Sequence, residues 1–564
     1  MKRLILIIGL IFSLNLLGVE IIPVRELHPG MKGYGLSVFK GYQPERFEVE
    51  IIDILPKALV KADLILIKCS GAGLEKTRVI AGMSGSPIYF QGKLAGALAY
   101  TWSFSQEPIA GVIPIESMLE LLKTSSPSQT ANQNSSRELA FSPELKPVGC
   151  PVMVSGFSPP EFNQVKPLLE SLNLGPVING GGKIIDNSAP SKLEPGSAIG
   201  VELVRGDINI TVIGTATLVE GDTVLAFGHS FFWGGAVSFP LTLAKVHTII
   251  SSEYLSFKLA SSVREMGELN RDLELGIAGR LDQKPETIPV QVKINNQLLN
   301  LKNNYNFQIA NHPYLVPVLT QICLFEAIAS SGAVSEYSTV KVQLNIQLEN
   351  YEQKISYQDW FTFSGNIYTS NYLAPISLLL NNPYQKVKIK NLDFQLELRP
   401  GWEVATIKSV WTNKTEVSPG EKVLIGVRFQ VYQGGEFEKK IIFQIPKESQ
   451  RQLMVSLIGG ENMPPDIAPP DSLEDLIQAI KKLPSPRWLV LRYSKPGLIL
   501  DEQGKRLRSL PPSAQRLISG KTNSRARRVA EYDYQVYPMP YIIRGGASLR
   551  FKIKAPAPTK KSIR

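Results

Sequence analysis

The residues best suited to chemistry lie in one short stretch, Gly82-Met83-Ser84-Gly85-Ser86-Pro87-Ile88. Glycines allow a tight bend that leaves backbone N–H groups free to face a developing oxyanion. A serine held exposed on such a bend can act as a nucleophile once a base removes its proton. Gly and Ser are also ordinary turn residues, so a turn between two strands without chemistry is the alternative interpretation.

A general base for this serine must be one of the four histidines, a lysine or a carboxylate. His229 has the most suitable setting, because it follows Ala226-Phe227-Gly228 at the end of an apolar run, where an imidazole can face a cleft. His28 and His312 each precede a proline in predicted loops. His247 lies in a strand-like run, which is typical of a buried structural residue. We therefore predict His229 as the base.

The cysteines give no sign of a metal centre. Cys69, Cys150 and Cys323 lie far apart and form no Cys-x-x-Cys pair, which argues against a zinc site and against a disulfide scaffold. The spacing favours three buried free thiols, and one disulfide with a third cysteine left over is the alternative. Since the chain also lacks a glycine-rich phosphate-binding loop, we predict no metal and no cofactor.

The formal net charge of +11 raises the question of an anionic partner. The basic residues are spread along the chain, with local enrichment only at 525–528 and over 552–564. We interpret them as solvated charge or as charge that faces the cell envelope, which is compatible with peripheral envelope association. We expect no nucleic-acid partner.

The start of the sequence predicts export. Met1-Lys2-Arg3 and the apolar run from Leu4 to Leu17 have the basic start and short hydrophobic stretch of a secretory signal. The run is short for a membrane span, although an uncleaved N-terminal anchor is the alternative. No later stretch is apolar enough to cross a bilayer. We expect a periplasmic, cell-surface or secreted protein.

The remaining patterns predict a mainly β chain of several domains, since 564 residues are too many for one core. Short runs rich in Val, Ile and Leu on both sides of the serine stretch are typical of strands. Residues 124–136 are almost entirely Ser, Thr, Asn, Gln and Pro, which predicts a flexible linker. Cleaner alternation from Leu392 predicts a small β-sandwich. A capping box at Ser472 and Asp475 begins a predicted helix over 472–483.

Five segments resemble the SpoIVB-type serine peptidase family. They are the heptapeptide 82–88 and the segments 92–97, 226–229, 196–200 and 275–279. The resemblance covers about residues 25–340 and implies a chymotrypsin-like double β-barrel. It also implies Ser84 as nucleophile, His229 as base, and the amides of Gly82 and Ser84 as the oxyanion hole.

Two features depart from the family pattern. The family's histidine element precedes its serine element, whereas here Ser84 comes first, so the order is circularly permuted. The family's aspartate lies shortly upstream of the serine, where this chain has none; Asp63 and Asp272 are the candidate acids. Loss of an orienting acid costs on the order of 10⁴ in rate in other triads. The alternatives are a Ser–His dyad, another carboxylate such as Asp272 in the place of the acid, and a slow or inactive relative. The family's PDZ module is not evident in the sequence.

The resulting organisation has seven segments. They are a signal peptide (1–19), the serine-bearing half of a peptidase-like domain (20–123), the linker (124–136), the histidine-bearing half (137–348), a connecting segment (349–390), the β-sandwich (391–450) and a mixed α/β C-terminal region with one helix and a basic tail (451–564). The predicted function is an exported serine endopeptidase of the SpoIVB type that cleaves itself or envelope proteins. The alternative is a weak or inactive peptidase-fold protein that serves as a binding or scaffolding module.

Overall fold

The computed structural model describes residues 18–59, 62–102, 105–123, 145–172, 174–175, 177–232, 234–332, 337–365, 371–449, 451–463, 470–502, 505–507 and 527–554. The predicted linker and almost all of the predicted signal peptide lie outside these residues. The chain divides into two compact units. The first comprises residues 1–289 and 306–326, and the second comprises residues 290–305 and 327–564.

Most of the described residues are in strands. The strands are β1 (Lys32–Ser37), β2 (Glu45–Leu59), β3 (Ala62–Ser70), β4 (Pro87–Phe90), β5 (Lys93–Trp102), β6 (Ile109–Pro114), β7 (Leu145–Pro147), β8 (Val152–Ser155), β9 (Val177–Asn179), β10 (Ala198–Gly206), β11 (Asn209–Glu220), β12 (Thr223–Ala226), β13 (Gly235–Ile250), β14 (Phe257–Leu273), β15 (Gly276–Arg280), β16 (Thr287–Asn296), β17 (Leu301–Ala310), β18 (Ser338–Leu348), β19 (Ile355–Phe363), β20 (Ile389–Pro400), β21 (Val404–Thr412), β22 (Glu416–Val417), β23 (Lys422–Val431), β24 (Glu436–Gln444), β25 (Gln452–Gly459), β26 (Trp488–Glu502), β27 (Lys505–Leu507), β28 (Arg527–Pro538), β29 (Ile542–Arg544) and β30 (Gly546–Ile553). The helices are α1 (Leu74–Thr77), α2 (Ile115–Lys123), α3 (Pro159–Glu170), α4 (Val316–Ser330), α5 (Ala374–Leu380) and α6 (Leu473–Ile480).

Six strands of the first unit close into an antiparallel barrel in the order β4-β1-β2-β3-β6-β5, because β5 pairs back onto β4. Alternation of side chains explains its core. In β2, Phe47, Val49 and Ile51 are buried, while Glu48 and Glu50 between them are exposed. Each such apolar side chain contributes about 1.5–3 kcal/mol when it leaves water. The serine turn joins α1 to β4, so this barrel carries the predicted nucleophile.

A second antiparallel barrel closes in the order β10-β13-β14-β15-β12-β11, with β11 paired back onto β10. Its longest hairpin joins β13 to β14, which pair from Gly235 and Asp272 to Ile250 and Phe257. Strand β12 ends at Ala226, directly before the predicted base. Two closed six-stranded barrels in one unit confirm the mainly β class and the double β-barrel expected for this chain.

The second unit contains a β-sandwich. One sheet has the order β24-β23-β21-β29, and the other has the order β22-β30-β25-β26-β27, with β28 also paired to β26. Phe429 and Phe443 of the first sheet and Val455 and Phe551 of the second belong to one buried cluster, as the inner faces of two packed sheets do. The same unit holds β19-β18-β20-β16, in which β16 pairs in parallel with β20 from Val290 onward.

The C-terminal helix forms where its cap predicts. Helix α6 follows Ser472, whose side chain accepts a hydrogen bond from the Asp475 N–H at 3.1 Å, and the helix is shorter than the predicted 472–483. Among the described residues, no helix has both the length and the apolar character that a membrane span needs. Cys69, Cys150 and Cys323 are free and buried, as predicted.

Candidate active site

The serine turn is held between the two barrels. Gly82 and Gly85 have φ angles of 97° and 94°, which favour glycine because a Cβ is strained there. A Cβ on Gly85 would lie 2.0 Å from the Thr215 carbonyl oxygen, so only glycine allows this approach to the second barrel. The Thr215 N–H donates to the Ser84 carbonyl at 2.9 Å, and the Gly85 N–H donates to the Leu98 carbonyl at 2.8 Å. The turn is thus fixed from both sides.

The structure brings the predicted nucleophile and base into contact. Ser84 Oγ lies 2.6 Å from His229 Nε2 and 2.6 Å from the Phe227 carbonyl oxygen, to which it donates. After β12, Phe227 and Gly228 have φ angles of 70° and 75°, and two successive left-handed residues turn the chain sharply. A positive φ is uncommon for a phenylalanine, so the fold maintains a strained backbone next to His229. The separation is that of a serine and its activating base.

Backbone carbonyl groups face both nitrogens of the imidazole. His229 Nδ1 lies 2.7 Å from the Ser230 carbonyl oxygen, and Nε2 lies 3.0 Å from the Val148 carbonyl oxygen. A carbonyl only accepts, so the Ser230 contact favours a proton on Nδ1 and the Val148 contact favours one on Nε2. Burial lowers the pKa of His229, and this effect outweighs its hydrogen bonds to Ser230 and Val148 and the charge of Asp272, all of which raise it. A neutral ring carries one proton: on Nδ1 it leaves the Nε2 lone pair for the Ser84 proton, and on Nε2, beside the Val148 carbonyl, it does not.

Asp272 holds the loop that follows the histidine. Its carboxylate accepts from the N–H groups of Phe231, Phe232 and Gly234 at 2.6, 2.8 and 3.0 Å. It also accepts from the Ser230 hydroxyl at 3.1 Å. Burial raises the pKa of Asp272, while these four hydrogen bonds lower it. This carboxylate therefore fixes the backbone whose Ser230 carbonyl orients the imidazole, and it acts on the ring indirectly.

Neither candidate acid bonds to the imidazole among the described residues. Asp272 bonds to the loop, as above, and Asp63 accepts from the Lys57 N–H at 2.7 Å in the β2–β3 hairpin of the first barrel. The expectation that one of them serves as a triad acid on His229 is therefore not met by this geometry. The physical reason is that the Ser230 carbonyl already occupies the acceptor position at Nδ1.

Lys258 is a further residue of the site that sequence reasoning missed. It is wholly buried, and its Nζ donates to Ser37 Oγ at 2.9 Å and to Thr215 Oγ1 at 3.1 Å. Thr215 in turn donates to the Gly82 carbonyl at 2.8 Å, and the Ser86 hydroxyl donates to Ser37 Oγ at 3.1 Å. Burial lowers the pKa of Lys258 to about 7. Through Thr215 and Ser37, the lysine is thus linked by hydrogen bonds to Gly82 and Ser86, at the two ends of the serine turn.

The predicted oxyanion amide of Gly82 donates to the Gly149 carbonyl at 2.8 Å. Beside this contact lies a cavity of about 220 Å³, lined among others by Arg78, Trp102, Gly149 and Tyr254. The described residues contain no group of three or more His, Cys, Asp or Glu side chains arranged to hold a metal ion. The Ser84–His229 contact suits nucleophilic and acid–base chemistry, and in this arrangement the Gly149 carbonyl occupies the Gly82 N–H.

Comparison with known families assigns one part of the chain. Residues 19–119 match the family model described as SpoIVB peptidase S55. The matched segment contains the first barrel and Ser84, but it ends before His229. Comparison with curated proteins and with solved structures found no significant match. The match confirms the resemblance inferred from the motifs, while the permuted order of the serine and histidine elements stays a prediction.

Proposed function

We propose that the protein is a serine endopeptidase with Ser84 as nucleophile and His229 as general base, an interpretation supported by the match of residues 19–119 to the family model described as SpoIVB peptidase S55. The observation that carries this proposal is the 2.6 Å separation of Ser84 Oγ and His229 Nε2. The two residues lie on different barrels, 145 positions apart in the sequence. Bringing them into hydrogen-bond contact in a buried site is what acyl transfer requires.

In the proposed reaction, Ser84 Oγ attacks the carbonyl carbon of a substrate peptide bond while its proton moves to His229 Nε2. The oxyanion that forms accepts from the N–H groups of Gly82 and Ser84. His229 then gives its proton to the leaving amine, which produces an acyl-enzyme, and a water activated by the same imidazole releases the acid. The Ser230 carbonyl at Nδ1 and the nearby charge of Asp272 stabilise the imidazolium.

The substrate we propose is protein, either the chain itself or other polypeptides of the cell envelope, after export directed by the first residues. This part rests on the sequence features described above, in particular the basic start and the apolar run up to Leu17. The geometry supports a slow enzyme, because a carboxylate that bonds directly to the imidazole contributes up to about 10⁴ in rate in full triads.

One observation favours the second candidate, a peptidase-fold protein that binds or scaffolds without turnover. Ser84 has no exposed surface, and its hydroxyl already donates to the Phe227 carbonyl. A protein that keeps these residues only for its fold can leave Ser84 buried, whereas an enzyme must expose Ser84 to its substrate.

Labelling with a serine-directed phosphonate separates the two candidates. We expect the wild-type protein to be modified at Ser84, with no modification in Ser84→Ala and strongly slowed modification in His229→Ala. His28→Ala, at an exposed histidine remote from the site in sequence, is the matched control and should label like wild type. Mass spectrometry after digestion locates the adduct. Equal labelling of wild type and Ser84→Ala would refute the proposal.

A further inference from the structure

A six-residue segment lies across the serine site. We call Leu145–Cys150 the strap. Its first three residues are β7, which pairs antiparallel with the end of β5 from Tyr100 to Trp102. Strand β4 pairs with β5 only as far as Ala97. The strap therefore continues the sheet along the part of β5 beyond β4, in the manner of an extended peptide added to a sheet edge.

Beyond β7, the strap contacts the groups assigned to catalysis. The Val148 N–H donates to the Ala99 carbonyl at 2.7 Å, which extends the pairing along β5. The Val148 carbonyl oxygen lies 3.0 Å from His229 Nε2. The Gly149 carbonyl accepts from the Gly82 N–H at 2.8 Å. Two successive carbonyl groups thus occupy the base and one amide of the proposed oxyanion hole.

These contacts hold the site in a closed arrangement. Val148 and Cys150 are 1% and 3% exposed, and beneath them Ser84 is 0% exposed. The Val148 carbonyl favours a proton on His229 Nε2, because a carbonyl accepts and cannot donate. A protonated Nε2 cannot take the proton of the Ser84 hydroxyl. The strap therefore covers the nucleophile and also holds the base in an unproductive state.

We propose that the strap is an intramolecular pseudo-substrate that fills the peptide-binding groove of the Ser84 site, and that an extended polypeptide binds along β5 only after the strap is displaced. The inference rests on the proposed function, since it takes the groove as the place where substrate meets Ser84. A segment that merely connected β7 to β8 would not need to direct two successive carbonyl groups at the base and at the Gly82 amide.

Val148→Ala weakens the strap while leaving its backbone contacts in place. Val148 belongs to the buried cluster of the first barrel, and Val49 of β2 belongs to the same cluster. Val49→Ala is therefore the matched control for lost core packing. Pro147→Gly, at an exposed strap position, is a second variant that loosens the strap through backbone entropy without touching the core.

Two rates report the opening. The first is alkylation of Cys150 by iodoacetamide, mapped by mass spectrometry, with Cys69 of β3 as internal reference. Burial raises the pKa of Cys150 to about 12, so the closed protein should react slowly. The second is phosphonate labelling of Ser84. We expect both rates to rise about tenfold in Val148→Ala, because lost burial of the valine methyl groups shifts the strap toward its open state.

The outcomes distinguish the strap from the enzyme. Faster reaction of Cys150 and Ser84 in Val148→Ala or Pro147→Gly, with Val49→Ala and Cys69 unchanged, supports the pseudo-substrate. Ser84 labelling that is the same in the strap variants and in Val49→Ala overturns it and leaves the proposed peptidase standing. Faster Cys150 alkylation without Ser84 labelling in any variant supports a strap that opens and overturns the peptidase.

Discussion

Replacement of Lys258 by methionine should make the stability of the first unit less dependent on pH. The Lys258 side-chain amine is wholly buried, and its hydrogen-bond partners are the neutral hydroxyl groups of Ser37 and Thr215. No carboxylate pairs with it in the part of the chain that the structure describes. Methionine keeps most of the aliphatic stem, which packs 3.1 Å from the position of a Cβ on Gly82, and removes only the charge and the two hydrogen bonds.

The magnitude follows from the pKa, which burial lowers from 10.5 to about 7. Each unit of difference between folded and unfolded states corresponds to about 1.4 kcal/mol, so the full effect is about 5 kcal/mol. Between pH 7 and pH 10.5 the unfolded chain holds a proton that the folded chain lacks. The wild type should therefore gain stability relative to Lys258→Met as the pH rises through this window, and it should lose that gain as the pH falls to 7.

Urea unfolding at several pH values from 6 to 10 measures this difference. Hydrogen-exchange mass spectrometry of peptides from β14 assigns the transition to the first unit. Lys245→Met is the control, because the Lys245 ammonium is partly exposed and pairs with Asp186 at 2.8 Å. The loss of two hydrogen bonds shifts the Lys258→Met values by a constant and does not change their slope. A difference in unfolding free energy that is flat from pH 7 to pH 10 would refute a buried, mostly neutral amine.

Two further predictions concern the base and the loop behind it. Since burial lowers the pKa of His229, the acid limb of kcat/KM should fall below the ordinary histidine value of about 6.5, and a limb at or above pH 6.5 in peptide hydrolysis would contradict this. Asp272→Asn should lower kcat by about 10- to 100-fold with little change in KM. The reason is that an amide NH₂ cannot accept from the Phe232 and Gly234 N–H groups, so that the Ser230 carbonyl shifts. Ser230→Ala, which keeps that carbonyl, is the control, and equal losses of kcat in both variants would exclude the loop as the cause.

Local sequence patterns were sufficient to select Ser84 and His229, which the structure brings into contact. The glycines around Ser84 and before His229 are required by positive φ angles and by close approach of the backbone, and such requirements are visible in the sequence itself. The pattern of short apolar runs separated by turn residues likewise indicates a mainly β fold. The capping box that begins at Ser472 is likewise local, and its helix forms there.

The groups around Ser84 and His229 could not be found in this way, because strand pairing over long distances decides their neighbours. Lys258 meets Ser37 across 221 positions, and nothing near either residue marks the contact. Asp272 was a candidate from its type alone. Its actual partners follow from the register of the β13–β14 hairpin, which places it opposite Gly235 and next to the loop after His229. No sequence pattern indicates that a backbone carbonyl, that of Ser230, lies at His229 Nδ1 in place of a carboxylate.

The β-sandwich shows the same limit at a larger scale. The clean alternation after Leu392 indicates strands, but it does not tell which strands face one another. In the structure the inner face of β23, with Phe429, packs against β25 and β30 from residues beyond 451. Residues assigned by sequence to two neighbouring segments thus share one core, because pairing is set by the fit of side chains between sheets.

In the proposed mechanism, two groups of the second barrel together replace the triad acid. The Ser230 carbonyl at 2.7 Å favours a proton on Nδ1, and the Asp272 charge behind it raises the pKa of the imidazole against the effect of burial. A carbonyl carries no formal charge, so the imidazolium formed during attack is less stable than with a carboxylate at that position. In the closed protein the Val148 carbonyl adds a second acceptor at Nε2 and so favours the protonated ring. In the proposed opening, displacement of the strap removes that acceptor and leaves Nε2 able to take the Ser84 proton. Opening of the groove and activation of His229 as a base then occur together.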